Sequence, residues 1–415
     1  MPQAVKNIYH LAVAVFATLF FRYPGKNLIV IGVTGTDGKT TTVHLIYKIL
    51  KNAGKKVSMI SSVGAKIGGK DYDLPFHVTT PNSCQLQKFL RLAIDQGEKF
   101  LVLEVTSHGL DQNRVWGIPF KIGVLTNVSH EHLDYHRTYE DYLATKTKLF
   151  KGVGWGILNR EDESYNYFKF KISNLKFTKI LTYGLKMGDI TPANFSFQTP
   201  LPGEYNQYNA LAAIATAKTL GISDLKIRQA VADFSGVLGR FEFVETEKEF
   251  AVVVDFAHTP NALENVLSTI SRGVPRVLNA GTGLVAGKGP PRLKPQVSRR
   301  LIHVFGCAGL RDKLKRPKMG EISAKYAQVI VLTEEDYRTE DVNEIIEEIA
   351  QGIPVKKKIF KIPDRQEAIN FAIKIAKKRD LVILTGKGHE KSLCRGKIEY
   401  PWDEREAVKI ALSNL

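Results

Sequence analysis

The pattern of apolar and polar positions changes period repeatedly along this chain, and each change marks an element. Ile8 to Phe21 is a nearly unbroken apolar run, with Lys6 before it and Arg22 and Lys26 after it. As a helix it reaches about 21 Å, short of the roughly 30 Å hydrocarbon core of a bilayer. Phe20-Phe21-Arg22-Tyr23-Pro24 is a poor leader-cleavage site. The expected element is a helix packed on the body of the protein, with insertion into a membrane surface as the alternative.

Leu28 to Gly32 then reads as a buried strand that enters a glycine-rich turn, followed by a helical pattern through Leu50. Phe100 to Leu103, Ile122 to Thr126 and Gly156 to Leu158 are further short strand-type runs, and Asn209 to Leu220 is an alanine-rich helical stretch. Gly236-Val-Leu-Gly-Arg240 reads as a hinge. After it, strands are expected at Ala251 to Asp255, Leu301 to Phe305, Val329 to Leu332 and Leu381 to Leu384. This alternation predicts the α/β class. An apolar helix occupies residues 1–26, a central domain with a mainly parallel sheet 27–240, and a C-terminal Rossmann-like α/β domain 241–415. Within the last, residues 273–300 form a basic insertion rich in Gly and Pro that carries no acid. Its length predicts a mobile solvated loop, with a basic flap over a phosphorylated ligand as the alternative.

Composition narrows the class more than the function. A hydrophobic fraction of 44% and a charged fraction of 24% fit a soluble globular protein. The formal charge of +17, from 59 basic and 42 acidic residues, favours anionic partners: nucleotides, phosphorylated substrates, nucleic acid or anionic membrane. No aromatic-basic motif of the nucleic-acid kind accompanies it, so no nucleic-acid partner is expected. Cys84, Cys307 and Cys394 are far apart and form no CxxC pair, which argues against a disulfide framework or zinc ribbon and fits a cytoplasmic protein.

The strongest local chemistry lies in Gly32-Val-Thr-Gly-Thr-Asp-Gly-Lys-Thr-Thr41. Glycines let backbone N–H groups turn inward around phosphate oxygens, and the helix N-terminus adds its dipole. Lys39 suits the terminal phosphates and the Thr40 hydroxyl suits Mg²⁺, so Gly35, Thr36, Asp37, Gly38, Lys39, Thr40 and Thr41 are read as the nucleotide-binding loop of a P-loop ATPase domain. Glu104, at the end of a buried strand, is a candidate Mg²⁺ ligand. His130, His132 and His136 cluster with Asp134 after the next strand; a single histidine assisting a second Mg²⁺ is a better reading than a zinc cluster.

Gly35-Thr-Asp-Gly-Lys-Thr40, Glu104-Val-Thr-Ser-His-Gly-Leu-Asp-Gln-Asn-Arg114 and Thr126-Asn-Val-Ser-His-Glu-His-Leu-Asp134 resemble the Mur ligases of peptidoglycan synthesis, in the branch that forms the muramoyl tripeptide. The resemblance runs from about Leu28 to the C-terminus. It implies that Lys39, Thr40 and Glu104 hold Mg-ATP, that His132 ligates a second Mg²⁺, and that Lys146, not Lys148, matches a lysine carried as a carbamate. It matches Thr79, Thr80, Thr106, Gln112 and Arg114 to contacts with a UDP-muramoyl-dipeptide acceptor, and Asn206, Asn209, Arg240, Asp255 and His258 to the nucleotide. It assigns the incoming amino acid to Arg311, Glu335, Asp336, Arg338, Gly386 and Glu390. The activity implied is ATP-dependent ligation through an acyl phosphate, with ATP and Mg²⁺ as cofactors; a monomer is expected, and peripheral membrane contact through residues 8–21 stays the alternative to packing on the body.

Two departures from the family stand out. About 27 residues precede the P-loop strand, where the family's UDP-gripping domain is expected, which leaves a lipid-linked muramoyl peptide as an alternative acceptor. The selector run of diaminopimelate-adding relatives, Asp-Asn-Pro-Arg, is here Glu335-Asp336-Tyr337-Arg338; the retained arginine favours an amino acid with a second carboxylate, such as meso-diaminopimelate. The rival readings are a folylpolyglutamate-synthase-like ligase and a catalytically silent scaffold at the membrane.

Overall fold

The apolar N-terminal run folds as helix α1, Gln3–Phe20, and uses one face only to meet the body of the protein. Ala14, Ala17 and Thr18 are buried against helix α3 and the segment that follows α4. The computed structural model describes residues 3–129, 133–136, 138–175, 178–273 and 300–415. The predicted insertion, apart from Gly273 and Arg300, lies outside them, as do His130 and His132. The chain divides into two compact units, one ending at Phe234 and the other beginning at Ser235.

In the first unit the order after α1 is β1 (Ile29–Thr34), α2 (Lys39–Asn52), β2 (Val57–Ser61), β3 (Gly64–Ile67), β4 (Lys70–Tyr72), α3 (Ser83–Asp95) and β5 (Phe100–Glu104). There follow α4 (Ser107–Asp111), β6 (Phe120–Leu125), α5 (Leu133–His136), α6 (Tyr139–Thr147), β7 (Trp155–Asn159), α7 (Tyr165–Ser173), β8 (Lys179–Tyr183), α8 (Glu204–Thr219) and α9 (Asp224–Ala232). The sheet runs β4-β3-β2-β5-β1-β6-β7-β8, with β3 and β4 antiparallel and the rest parallel. Its central strands are continuous apolar runs because helices cover both faces, leaving no solvent side for a polar alternation. β1 lies between β5 and β6, in register Val33↔Glu104 and Val33↔Val124, so three strand ends converge where the chain reverses direction across the sheet. That crevice is where open α/β sheets take ligands.

The second unit contains β9 (Glu242–Val244), β10 (Ala251–Val254), α10 (Pro260–Ser271), β11 (Leu301–Phe305), α11 (Lys315–Tyr326), β12 (Val329–Leu332) and α12 (Val342–Ala350). It continues with β13 (Lys358–Lys361), α13 (Arg365–Ile375), β14 (Leu381–Leu384), the hairpin β15 (Ser392–Arg395) and β16 (Ile398–Pro401), and α14 (Glu404–Ser413). Its sheet runs β13-β12-β11-β14-β10-β9, parallel except for β9. Local signals start its helices: Thr259 caps α10 by accepting from Ala262 N with Pro260 in the first turn, and Asp341, Asp364 and Asp403 do the same for α12, α13 and α14.

Helix α8 starts at Glu204, a turn before the expected Asn209. Its first turn is polar because Asn206 and Asn209, both buried, are turned to the glycine loop, so the apolar pattern begins late.

Candidate active site

In the first unit the glycine loop between β1 and α2 is held by the segment after β6. Thr36 N donates to Asn127 O at 2.8 Å and Asp37 N to Asn127 Oδ1 at 3.0 Å. Thr126 Oγ1 and Asn127 Nδ2 both donate to Asp37 O, at 2.7 and 3.1 Å. Gly35 (φ 150°) and Gly38 (φ 79°) adopt conformations that disfavour a side chain, and a Cβ there would overlap Thr126 Oγ1 or Asn209 Oδ1. The loop is thus shaped by backbone and neutral hydrogen bonds, and Lys39 folds over it to donate to Thr36 O at 2.6 Å.

Beside the loop, Thr40 Oγ1 donates to Glu104 Oε1 at 3.1 Å and shares a 3.0 Å bond with Ser62 Oγ, while Ser62 N donates to Glu104 Oε2 at 3.0 Å. Glu104 is only 2% exposed. A buried carboxylate bonded to the Thr40 hydroxyl, with the Ser62 hydroxyl beside that one, is an oxygen-rich donor set of the kind Mg²⁺ takes. Ser62 has no signal in the sequence, since it is one small polar residue after a strand. Lys146 is 1% exposed and approaches the loop from another side, donating to Gly35 O at 2.7 Å with its Nζ 4.3 Å from the Tyr142 ring centroid. Tyr142 in turn shares a 3.2 Å bond with Thr36 Oγ1. Lys148, two residues on, turns away to Asp111 at 3.2 Å. Asn209 Nδ2 donates to Asn206 Oδ1 at 3.1 Å and Thr42 Oγ1 to Asn209 Oδ1 at 3.5 Å, which ties α8 to α2. The metal ligand expected at His132 falls outside the described residues.

Four of the five acceptor candidates form one hydrogen-bonded patch. Thr80 Oγ1 donates to Glu104 O at 3.1 Å and accepts from Thr106 N at 3.0 Å. Arg114 donates to Thr80 O at 2.7 Å and, through Nε and Nη2, to Gln112 Oε1 at 2.9 and 2.7 Å. Thr79 stands next to Thr80 at its edge.

In the second unit Asp255, at the end of β10, accepts from Phe241 N and Ala257 N, both at 2.6 Å, and so fixes the turns on either side of it. The Arg240 guanidinium lies 4.3 Å from the Phe256 ring centroid. His258 Nδ1 is 3.0 Å from Phe256 O; burial and the neighbouring Lys315 push its pKa down to about 3, so the ring is neutral at ordinary pH.

The amino-acid candidates lie on three loops, those that follow β11, β12 and β14. Gly309 N donates to Asp336 O at 2.9 Å, and Arg338 Nη1 to Gly309 O at 2.5 Å. A Cβ at Gly309 would overlap Tyr337 O, which gives that glycine its reason. Arg311 projects into solvent from this loop. Behind it, fully buried Arg316 donates to Glu340 at 3.0 Å, Glu348 at 2.5 Å and Ala308 O at 3.3 Å. Burial alone would raise the Glu340 carboxyl, but hydrogen bonds from Arg316, Leu310 N and Lys313 hold it at about 2. Lys387 Nζ donates to Asp336 Oδ1 at 2.8 Å and Glu390 Oε2 at 2.5 Å, and Cys394 N donates to the same Asp336 oxygen at 2.9 Å. Glu335 faces Gly386, and its carboxyl is raised by burial and then by Asp336. Lys387 and Glu340 are organising residues that reading by motif passed over; Lys387 stands inside the Gly386 to Glu390 run, whereas Glu340 carries no local mark.

Comparison with known proteins matches residues 33–217 to the Mur ligase middle domain and residues 239–296 and 291–388 to the Mur ligase glutamate ligase domain. The UDP-N-acetylmuramoyl-L-alanyl-D-glutamate–2,6-diaminopimelate ligase of Geobacillus thermodenitrificans is 36% identical over 99% of this chain and 84% of its own length. The protein of that name from Aquifex aeolicus is 39% identical over 95% of this chain and 79% of its own. A solved structure of such a ligase, 30% identical, superposes with a TM-score of 0.59 over 93% of this chain and 78% of its own. FolC of E. coli, in complex with ADP, shares the fold at 19% identity and a TM-score of 0.66, over 89% of this chain and 90% of its own.

Proposed function

This chain belongs to the Mur ligase family of ATP-dependent amino-acid ligases, and we propose that it joins meso-diaminopimelate to a UDP-N-acetylmuramoyl-dipeptide in peptidoglycan precursor synthesis. It would act in the cytoplasm as a monomer, with peripheral membrane contact through residues 8–21. The observation that carries the reading is the buried Glu104 carboxylate bonded to Thr40 and Ser62 at the mouth of the glycine loop.

The family resemblance supports the following division of labour. Thr40, Glu104 and carbamylated Lys146 would hold Mg²⁺, joined by His132, and Mg²⁺ when bound neutralises charge on the phosphates. Lys39, released from Thr36 O, would reach the transferred phosphoryl group. Asn206, Asn209, Arg240, Asp255 and His258 would complete the nucleotide site. Thr79, Thr80, Thr106, Gln112 and Arg114 would present the acceptor carboxylate, whose oxygen takes the γ-phosphoryl group of ATP as ADP leaves. The amine of the incoming amino acid would then attack the acyl carbon, expelling inorganic phosphate. Arg311 and Arg338 would each offer a planar fork to a ligand carboxylate, and Glu335, Asp336, Gly386 and Glu390 would line the amino-acid site. Positioning, more than a protein base, would supply most of the rate.

A second reading, a lipid-linked muramoyl peptide as acceptor, is favoured by one feature: α1 is bonded to the acceptor segment itself. Asn7 donates to Asp111 at 3.2 Å and Thr18 to Trp116 O at 3.3 Å, on either side of Gln112 and Arg114. The test is phosphate release from Mg-ATP with the UDP-linked dipeptide and either meso-diaminopimelate, L-lysine or no amino acid. Release with diaminopimelate alone, and a product of matching mass, is the expected result. Release with L-lysine in its place would overturn the amino-acid assignment, and release only with a lipid-linked acceptor would replace the UDP-linked one.

A further inference from the structure

Helix α1 is apolar on nearly every side, a composition that normally means burial all round. Here only one face of it is buried. Ala14, Ala17 and Thr18 pack inward, while Ile8, Phe16, Leu19 and Phe20 are 68, 66, 55 and 68% exposed. With exposed Ala12, these residues fall at the four- and three-residue spacing of one helix face, and the Phe16 and Phe20 rings stack at 6.0 Å. An exposed contiguous apolar strip of this kind marks a surface with an occupant.

We infer that the outer face of α1 is a docking surface for an anionic lipid bilayer. The inference rests on the peripheral-contact reading above and adds the face, the lipid charge and the depth. Charge complementarity selects the occupant. Lys6 and Arg22 stand exposed at the two ends of the strip with Lys26 just beyond, and the first acidic residue of the chain is Asp37. Asp111, the carboxylate that Asn7 touches on the inner face, is offset by Lys148 at 3.2 Å. A second copy would bring the same basic ends against each other. It would also gain little area: an 18-residue helix is about 27 Å long and about 10 Å across, on the order of 300 Å², against about 800 Å² per partner in a stable interface. A bilayer needs no such area, because each phenylalanine inserted among acyl chains adds its own burial. Among the described residues no helix is long and apolar enough to cross a membrane, so the contact lies in the plane of the interface. The bonds from Asn7 and Thr18 to Asp111 and Trp116 would then hold the acceptor segment close to the lipid surface.

The full chain is tested by flotation with phosphatidylcholine vesicles with and without phosphatidylglycerol. Wild type is expected to float with the anionic vesicles and to be released by salt. Phe16→Ser/Phe20→Ser is expected to bind them at least about tenfold more weakly, and Lys6→Gln/Arg22→Gln to lose the preference for anionic lipid. Both variants should keep wild-type ligase turnover in lipid-free solution, since these side chains are exposed and none is a candidate site residue. Failure of wild type to bind either vesicle would overturn the membrane contact altogether. Equal binding to both vesicles would overturn the anionic assignment while leaving the contact, and undiminished binding by the phenylalanine double variant would overturn the choice of face. A lipid-free dimer abolished by that variant would replace the bilayer with a second copy. None of these outcomes depends on which amino acid or acceptor the enzyme uses.

Discussion

The candidate site residues of the two units are organised by different physics. In the first unit the glycine loop takes its shape from backbone bonds to Asn127 and Thr126 and from two glycines that leave no room for a Cβ. In the second unit the loops bearing Arg311 and Arg338 are set by charges: Arg316 on Glu340 and Glu348, Lys387 on Asp336 and Glu390, and Arg365 on Glu404 with both side chains fully buried. A phosphate site built from amides is already positive and needs no counter-charge until its ligand arrives. Loops that carry both signs of charge need them held apart, and a buried lattice of ion pairs does that. The lesson is that the first unit should fail by losing chemistry and the second by losing structure.

The largest expected effect sharpens this contrast. Lys39→Ala should lower ligase turnover by about 100- to 1,000-fold, the scale of losing one charge-stabilising donor in a transition state, while the thermal midpoint stays near wild type. An equal loss of stability would show that Lys39 also braces the loop.

Arg365→Met should do the reverse. Removing one member of a fully buried pair leaves Glu404 uncompensated, which costs about 3–5 kcal/mol. Chemical denaturation should show this as a lower midpoint for the second unit. Pairing it with Glu404→Leu should recover much of the loss; a double variant no better than the single would mean that the bonds of Arg365 to Glu334 O and Thr385 O matter more than the charge.

Next in size is a pH effect confined to the second unit. Fully buried His303 is bonded at both nitrogens, to Ser323 Oγ at 2.8 Å and Thr385 Oγ1 at 2.9 Å. Burial, then Arg365, pushes its pKa from 6.5 down to about 3. The folded state therefore resists a proton that the unfolded state accepts: the stability this gives is complete above pH 6.5 and drains away as pH falls toward 3. His303→Gln should flatten the stability profile over that window, and an unchanged slope would assign the acid sensitivity to His258 or to other groups.

The smallest effect tests neighbours in sequence. Lys148→Ala removes a partly exposed pair with Asp111, worth about 1 kcal/mol or less, and should leave turnover nearly unchanged. Lys146→Ala should abolish most of it. Equal losses in the two variants would mean that the region acts as a whole and that the Gly35 contact of Lys146 is incidental.

Much of the glycine loop was legible because its information is contiguous. Residues 32–41 carry their own instructions: glycines permit the backbone angles, a lysine follows, and a helix begins at once. Runs such as Leu301–Phe305 and Val329–Leu332 declared themselves as buried strands for a similar reason, since a strand covered on both faces needs nothing but apolar side chains. The polar first turn of α8 was missed because its buried asparagines serve the loop and break the apolar period.

By itself the sequence determined the α/β class, the glycine loop and the family resemblance, all of which rest on local order along the chain. Tertiary structure alone decided which distant partners meet. It brought Glu104 and Ser62 to Thr40, sent Lys146 to Gly35 while Lys148 went to Asp111, and set Glu340 beneath the Arg311 loop. It also left one face of α1 in solvent. Hydrogen bonding, pairing and desolvation depend on what surrounds a group in space, and a one-dimensional pattern records only what lies beside it in the chain.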